Sequence, residues 1–238
     1  MNALKMLTGI AASASLAFAA PAFADSITLG STDIGKSFSL NYDGFSDGTA
    51  ISGLTGSTTF TLTGVSGNDY TFDYAVANTS SAPVTGSRIS SFAFNTDPNI
   101  SSATSTGAFA YTTLSSNYPN GIGTVDVCFK DASTGSCAGG GSGGLTLGES
   151  GTGAFTLSFS SPVSALTLSD FYVRYQSIAG VPGISSASGA GTISSTSGGG
   201  STGGTPVPEP GMLGLLGAGL IGLAMARRRT TARHTLAA

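Results

Sequence analysis

The sequence predicts an all-β ectodomain, an antiparallel β-sandwich or jelly roll, with an N-terminal signal peptide before it and one short C-terminal transmembrane helix after it. Three observations support this. Short segments alternate apolar residues with Ser or Thr at period two, which is typical of strands with one buried and one wet face. Clusters of Gly, Asn, Asp and Pro separate these segments. No amphipathic helical pattern lies between them, which favours antiparallel strand packing.

The first segment, residues 1–24, has the pattern of a secretory signal peptide. Lys5 precedes an apolar run from Leu7 to Ala20, and Ala22 and Ala24 supply the small residues that signal peptidase requires. We expect cleavage after Ala24. A first membrane helix is the disfavoured alternative, because the apolar run is short.

The ectodomain is predicted at residues 25–184. Its predicted strands are 37–42, 59–63, 70–76, 88–95, 107–114, 123–130, 154–160 and 166–177. The turn signals are 47–48, 66–69, 97–99 and 118–121. A solenoid is less favoured, since no repeat of fixed length is present. Residues 185–205 are rich in Gly, Ser and Thr, and we expect a flexible linker there.

The tail, residues 206–230, contains three unlike pieces in a fixed order. Val207-Pro208-Glu209-Pro210 comes first, and its prolines prevent a helix from extending backwards. Sixteen uncharged residues, 211–226, follow and predict the transmembrane helix, roughly 24 Å long. Arg227, Arg228 and Arg229 then form a stop-transfer signal that holds residues 231–238 in the cytoplasm.

These three pieces resemble the PEP-CTERM sorting signal of Gram-negative bacteria. The resemblance implies recognition by an exosortase-type membrane protease and cleavage near Pro208-Glu209-Pro210. It also implies an inner-membrane intermediate and delivery to the cell envelope, the surface or an extracellular polysaccharide (biofilm) matrix. A plain membrane anchor that is never cut is the alternative. A second resemblance, to the cistern subgroup of these proteins, is carried by 70–74, 88–94, 168–177 and the Cys128–Cys137 region. It implies no catalytic residues.

Charge and composition exclude several classes of function. Residues 25–205 contain four basic and eleven acidic side chains, a formal balance of −7. Nucleic-acid binding needs a basic face, so we predict no nucleic-acid partner. The only histidine is His234, in the tail, and the chain has no tryptophan. Histidine triads and histidine-ligated metals are therefore excluded from the ectodomain.

The two cysteines, Cys128 and Cys137, are predicted to form a disulfide, because the chain is exported to an oxidising compartment. A ten-residue loop of this kind contributes about 2–3 kcal/mol. A nucleophilic thiol is disfavoured, since no histidine is present to lower its pKa.

Calcium is the one candidate cofactor. Asn41, Asp43 and Asp47 place side-chain oxygens within one short acidic segment, and calcium prefers six to eight oxygen ligands. A Gly/Asp hairpin turn is the favoured alternative, because no glutamate closes the set.

Two further sets of residues are weaker candidates. Four carboxylates, those of Asp126, Asp131, Glu149 and Asp170, would need to lie about 5–10 Å apart in a cleft for glycoside hydrolysis. Tyr172, Arg174 and Tyr175 are candidates for a sugar-stacking face, with packing in the core as the favoured alternative.

The sequence thus predicts an exported surface or matrix protein with a structural or adhesive role and no enzymatic activity. Its partners are signal peptidase, the exosortase-type protease, the membrane and exopolysaccharide. The main alternative is a carbohydrate- or calcium-binding lectin-like module. A glycoside-active enzyme is the third hypothesis.

Overall fold

The computed structural model describes residues 25–134, 136–137 and 143–198. The predicted signal peptide with Ala22 and Ala24, the sorting segment 206–230 with its helix 211–226, and the tail 231–238 lie outside the described residues. Within the described residues, no helix is both long enough and apolar enough to span a bilayer.

The described chain is all-β and antiparallel throughout, as the alternating pattern predicts. The twelve strands are β1 (Ser26–Leu29), β2 (Ser37–Ser46), β3 (Thr49–Ser66), β4 (Asp69–Asn78), β5 (Gly86–Asp97), β6 (Ser102–Ser105), β7 (Tyr111–Tyr118), β8 (Gly123–Lys130), β9 (Leu145–Thr146), β10 (Ser150–Ser158), β11 (Leu166–Ala179) and β12 (Ser186–Ser197). They pair in the order β6-β10-β4-β3-β2-β12-β11-β5-β8-β7, with β1 beside β11 and β9 beside β5.

The strands form one continuous sheet, where a sandwich or jelly roll would have two. The sheet nearly closes on itself, because its end strands β6 and β7 lie next to each other: the Thr112 hydroxyl donates to the Ala103 carbonyl at 3.1 Å. Strand β11 shifts register against β5 at three points, and such irregularities bend a sheet. Closure leaves one enclosed face for the core and one outer face.

The core is built from the inward positions of the alternating strands and is dominated by phenylalanine. Phe60 of β3, fully buried, lies at its centre. The ring centroids of Phe38, Phe92, Phe155 and Phe171 lie 5.3, 5.6, 5.7 and 6.3 Å from that of Phe60. These contacts are tilted, edge-to-face or stacked, and their distances lie in the range of about 4.5–7 Å that aromatic pairs prefer.

Most predicted strands are present, and the 123–130 strand has the predicted bounds. The predicted strand 107–114 is wrong in part, because a short 3-10 helix at Gly107–Phe109 precedes β7. Asp47 and Gly48 form a two-residue hairpin turn between β2 and β3, and both have positive φ, as a type I′ turn requires.

The linker predicted at 185–205 is wrong over most of its length, because residues 186–197 form β12. This strand lies between β2 and β11 and extends the ectodomain from residue 184 to the end of the described chain. Its composition resembles a linker for a packing reason. A Cβ added at Gly189 would lie 2.8 Å from the Tyr175 ring, and one at Gly191 would lie 2.7 Å from the Tyr42 ring. Glycine leaves the space that these two buried rings occupy.

Candidate functional surface and C-terminal motif

The outer face of the sheet carries paired hydroxyl groups on neighbouring strands. The side-chain oxygens of Ser37 and Thr61 lie 2.7 Å apart, and those of Ser39 and Thr59 lie 2.8 Å apart, across the β2–β3 pair. Thr71 of β4 and Thr156 of β10 make the same contact at 3.1 Å. These pairs follow from the Ser/Thr positions of the period-two pattern, since alternate residues point to the same face.

A shallow groove of about 360 Å³ runs along this outer face over β4. Thr59 of β3, Ala75 of β4 and Thr152 of β10 lie opposite one another in register, so threonines flank a short alanine. Asp73 and Thr61 form the next outward pair and also line the groove. The result is an open depression with hydroxyl walls, a methyl floor and one carboxylate.

The groove is not evident from the sequence. The period-two pattern of the predicted strands 59–63 and 70–76 does indicate that Thr59, Thr61 and Asp73 point outward. Thr152, however, comes from a glycine-rich stretch, and only the strand register brings it opposite Ala75.

A second cavity, of about 700 Å³, lies beside the start of β5. Its lining includes Arg88, Ser87, Thr146 and the partly exposed Leu147. The Arg88 guanidinium is held by the protein: it donates to the Gln176 amide oxygen at 2.7 Å and to the Gly143 carbonyl.

All four basic side chains of the described residues are withdrawn from solvent. Lys36, Lys130 and Arg174 are each 7 % exposed, and the Arg88 side chain is 14 % exposed. Lys36 pairs with Asp33 at 3.7 Å, and Arg88 pairs with Asp131 at 3.6 Å. The exposed charges of the described residues are therefore all acidic. They are Asp43, Asp47, Asp69, Asp73, Asp97 and Glu149.

Two of the charged groups that are withdrawn from water have shifted pKa values. Desolvation raises the pKa of the Asp131 carboxyl, although Arg88 opposes the shift. Burial lowers the pKa of Arg174, whose guanidinium donates to the Ser186 hydroxyl at 2.8 Å. Withdrawing charges from water costs free energy, and the Arg88–Asp131 ion pair and the Arg174–Ser186 hydrogen bond offset part of that cost.

The predicted disulfide between Cys128 and Cys137 is present, with a Cα–Cα distance of 6.1 Å. Both cysteines are fully buried in a small cluster with Ala93, Tyr118 and Val125, separate from the main core. The Ser91 hydroxyl donates to the Cys137 carbonyl at 3.1 Å. The bridge therefore anchors the loop after β8 to the sheet.

The candidate sugar-stacking residues Tyr172, Arg174 and Tyr175 do not form an exposed face. Tyr175 is fully buried, and its hydroxyl has no hydrogen-bond partner among the described residues. Arg174 is buried as described, and Tyr172 is half-buried with its ring 5.8 Å from that of Tyr118. The favoured alternative, packing, is therefore confirmed.

Three of the four candidate carboxylates contact residues of β5. The Asp126 carboxylate accepts from the Thr96 backbone amide at 2.8 Å, and the Asp170 carboxylate accepts from the Asn95 side chain at 3.1 Å. Asp131 pairs with Arg88.

The fourth candidate, Glu149, accepts from the Thr146 backbone amide at 2.8 Å, and hydrogen bonding with Thr146 lowers the pKa of its carboxyl. The groove over β4 contains one carboxylate, and the lining of the cavity beside β5 contains none.

The candidate calcium residues lie along one hairpin. Asn41 and Asp43 point outward from β2, and Asp47 lies in the turn at its tip. Among residues 25–134, 136–137 and 143–198, no group of three or more His, Cys, Asp and Glu side chains is arranged to hold a metal ion.

Comparison with known proteins identifies the C-terminal segment. The family model of the PEP-CTERM protein-sorting motif matches residues 206–229. The match contains Val207, Pro208, Glu209 and Pro210 and the three arginines 227–229. No curated protein and no solved structure matches the chain.

The motif implies export, sorting at the cell envelope and processing by exosortase, a membrane protein. Eight residues, 198–205, separate the end of β12 from the matched segment. On this match, the chain is a protein that contains a PEP-CTERM sorting domain.

Proposed function

We propose that this protein is a structural or adhesive component of the cell surface or extracellular matrix. The observation that carries the proposal is the chemistry of the outer face. Its hydroxyl groups are paired across strands, its exposed charges are acidic, and the basic side chains of the described residues are withdrawn from solvent. Such a face suits contact with a hydrated, hydroxyl-rich polymer.

The interior supports a durable scaffold. The nearly closed sheet protects most strand edges, which otherwise template aggregation. The phenylalanine cluster around Phe60 and the Cys128–Cys137 bridge add rigidity.

Enzymatic activity is not part of the proposal. The four carboxylates that were candidates for glycoside hydrolysis make hydrogen bonds or ion pairs within the fold. Hydrolysis needs two carboxylates facing one cleft, and the groove over β4 contains only Asp73.

The sorting route supplies the mechanism of delivery in this proposal. Signal peptidase cuts after Ala24, and the helix 211–226 with Arg227–Arg229 holds the exported chain in the inner membrane. Exosortase then cuts near Pro208-Glu209-Pro210 and passes the sheet domain to the surface or matrix.

Fractionation of expressing cells tests the proposal. The wild-type protein is expected in the washed matrix or surface fraction, detected by immunoblot against the ectodomain. A matched variant that lacks residues 206–229 is expected in the soluble fraction of the culture medium. Recovery of the wild-type protein entirely in the soluble medium would contradict a surface or matrix role.

A lectin-like module is the second candidate function. The hydroxyl-walled groove over β4 favours it in its carbohydrate form. Calcium binding has weaker support, because Asn41, Asp43 and Asp47 are spread along one hairpin and its turn. Isothermal titration of the protein with calcium measures it directly.

A further inference from the structure

We propose that the groove over β4 binds a neutral polysaccharide chain. The inference rests on the proposed surface or matrix role and names the class of polymer and the residues that contact it. The groove is lined by side chains that include those of Thr59, Thr61, Asp73, Ala75 and Thr152.

The hydroxyl groups of the groove are held in place by the strand pairing. Thr59 bonds to Ser39 at 2.8 Å, and Thr61 bonds to Ser37 at 2.7 Å, so the strand pairing fixes both threonine side chains. A hydroxyl pair uses one O–H internally and keeps the second O–H and several lone pairs for a ligand. Sugar hydroxyls also donate and accept, so the two surfaces are complementary without charge.

The shape of the groove suits a sugar ring. Thr59 and Thr152 stand on strands two apart, roughly 9–10 Å from each other, with only the Ala75 methyl between them. A sugar ring has apolar C–H faces and polar edges, which match a methyl floor between hydroxyl walls. The volume of about 360 Å³ is near the lower end of ligand sites, roughly 300–1,000 Å³, and suits a short stretch of polymer.

The charge of the groove favours a neutral polymer over an anionic one. Asp73 is the only charged residue of the groove, and the basic side chains of the described residues lie in the interior or are held by other groups. Anionic polymers such as alginate meet repulsion at this face, because no exposed cation of the described residues offsets Asp73. A neutral polymer can use the Asp73 oxygens as hydrogen-bond acceptors.

Affinity electrophoresis of the full-length protein in detergent tests the inference. The probes are two neutral polymers, dextran and hydroxyethyl cellulose, and the anionic polymer alginate. Retardation by at least one neutral polymer and none by alginate is expected. The inference would be overturned if neither neutral polymer retards the wild-type protein, or if alginate retards it as much as the neutral polymers do.

Variants at positions on the outer face of the sheet locate the site. Thr59→Val with Thr152→Val removes two hydroxyls at constant shape, and Ala75→Gln fills the floor. We expect either change to weaken neutral-polymer binding about tenfold or more. The matched control is Thr28→Val with Thr167→Val, which removes a hydroxyl pair 2.9 Å apart on β1 and β11, outside the groove.

The circular dichroism spectrum of each variant is compared with that of the wild type, so that loss of binding is read only on folded protein. Equal loss in the control pair, or none in the groove variants, would refute the assignment. Matrix retention of the wild-type protein in cells separates this inference from the proposed function. If the wild-type protein is retained but binds neither neutral polymer, only this inference is wrong. If the wild-type protein is not retained, the proposed surface or matrix role is wrong.

Discussion

Replacing Gly189 by valine tests whether residues 186–197 are a packed strand or a linker. A Cβ at this position would lie 2.8 Å from the Tyr175 ring, 2.8 Å from the Val173 methyl and 3.3 Å from the Tyr42 Cβ. Contacts this short force the neighbouring rings or the strand to move. Overpacking of this kind costs about 1–3 kcal/mol, and three contacts place Gly189→Val at the upper end.

Valine also has a favourable effect that must be subtracted. It fits a strand better than glycine by about 0.5–1 kcal/mol. We therefore expect a net loss of about 2 kcal/mol in the free energy of unfolding. For a domain of this size each kcal/mol shifts Tm by about 2–4 °C, so Tm falls by about 4–8 °C.

The assay is thermal unfolding of the mature protein followed by circular dichroism. Ser195→Val is the matched control, because Ser195 lies on the same strand but is exposed, and we expect a change within about 0.5 kcal/mol. If residues 186–197 were a linker, neither substitution would shift Tm. A Gly189→Val protein as stable as the wild type would refute the packing argument.

Two further predictions concern the disulfide and a buried carboxyl. Replacing both Cys128 and Cys137 by serine opens a ten-residue loop and is expected to cost about 2–3 kcal/mol; reductant should lower the wild-type Tm similarly, and an unchanged Tm would show that the bridge does not stabilise the fold. The raised pKa of Asp131 means that the ionised carboxylate is disfavoured in the folded protein. The contribution of Asp131 to the free energy of unfolding should therefore increase as the pH falls through its pKa in the folded state. The increase should be complete below its pKa in the unfolded chain. Asp131→Asn should remove this part of the pH dependence in urea unfolding curves, and an identical pH profile would contradict it.

Strands with a clear period-two pattern were predictable from sequence. Gly123–Lys130 was predicted with the bounds that the strand has, and the Asp47-Gly48 turn was predicted because Asp-Gly readily adopts the positive φ values of a two-residue hairpin turn. Local chemistry decides these elements, so no tertiary information is needed.

The period-two pattern did not predict strand β12 or the burial of the Tyr175 side chain. The glycines of β12 are explained only by the rings of Tyr42 and Tyr175 that lie across them. Tyr175 faces inward because register shifts in β11 change which side chains share a face. Both outcomes depend on contacts between distant segments.

The candidate surface was predictable in chemistry but not in position. Composition indicated a face of hydroxyls and acids, and the structure shows that the basic side chains of the described residues withdraw from it. The groove itself depends on the register that places Thr152 and Thr59 on either side of Ala75.

Intact-mass spectrometry of the protein recovered from the cell surface and medium tests the central claim, that this is an exported protein released through its C-terminal motif. The account predicts a chain that begins at Asp25, ends near Pro208-Glu209-Pro210 and lacks Arg227, Arg228 and Arg229. A surface product that retains these three arginines would contradict it.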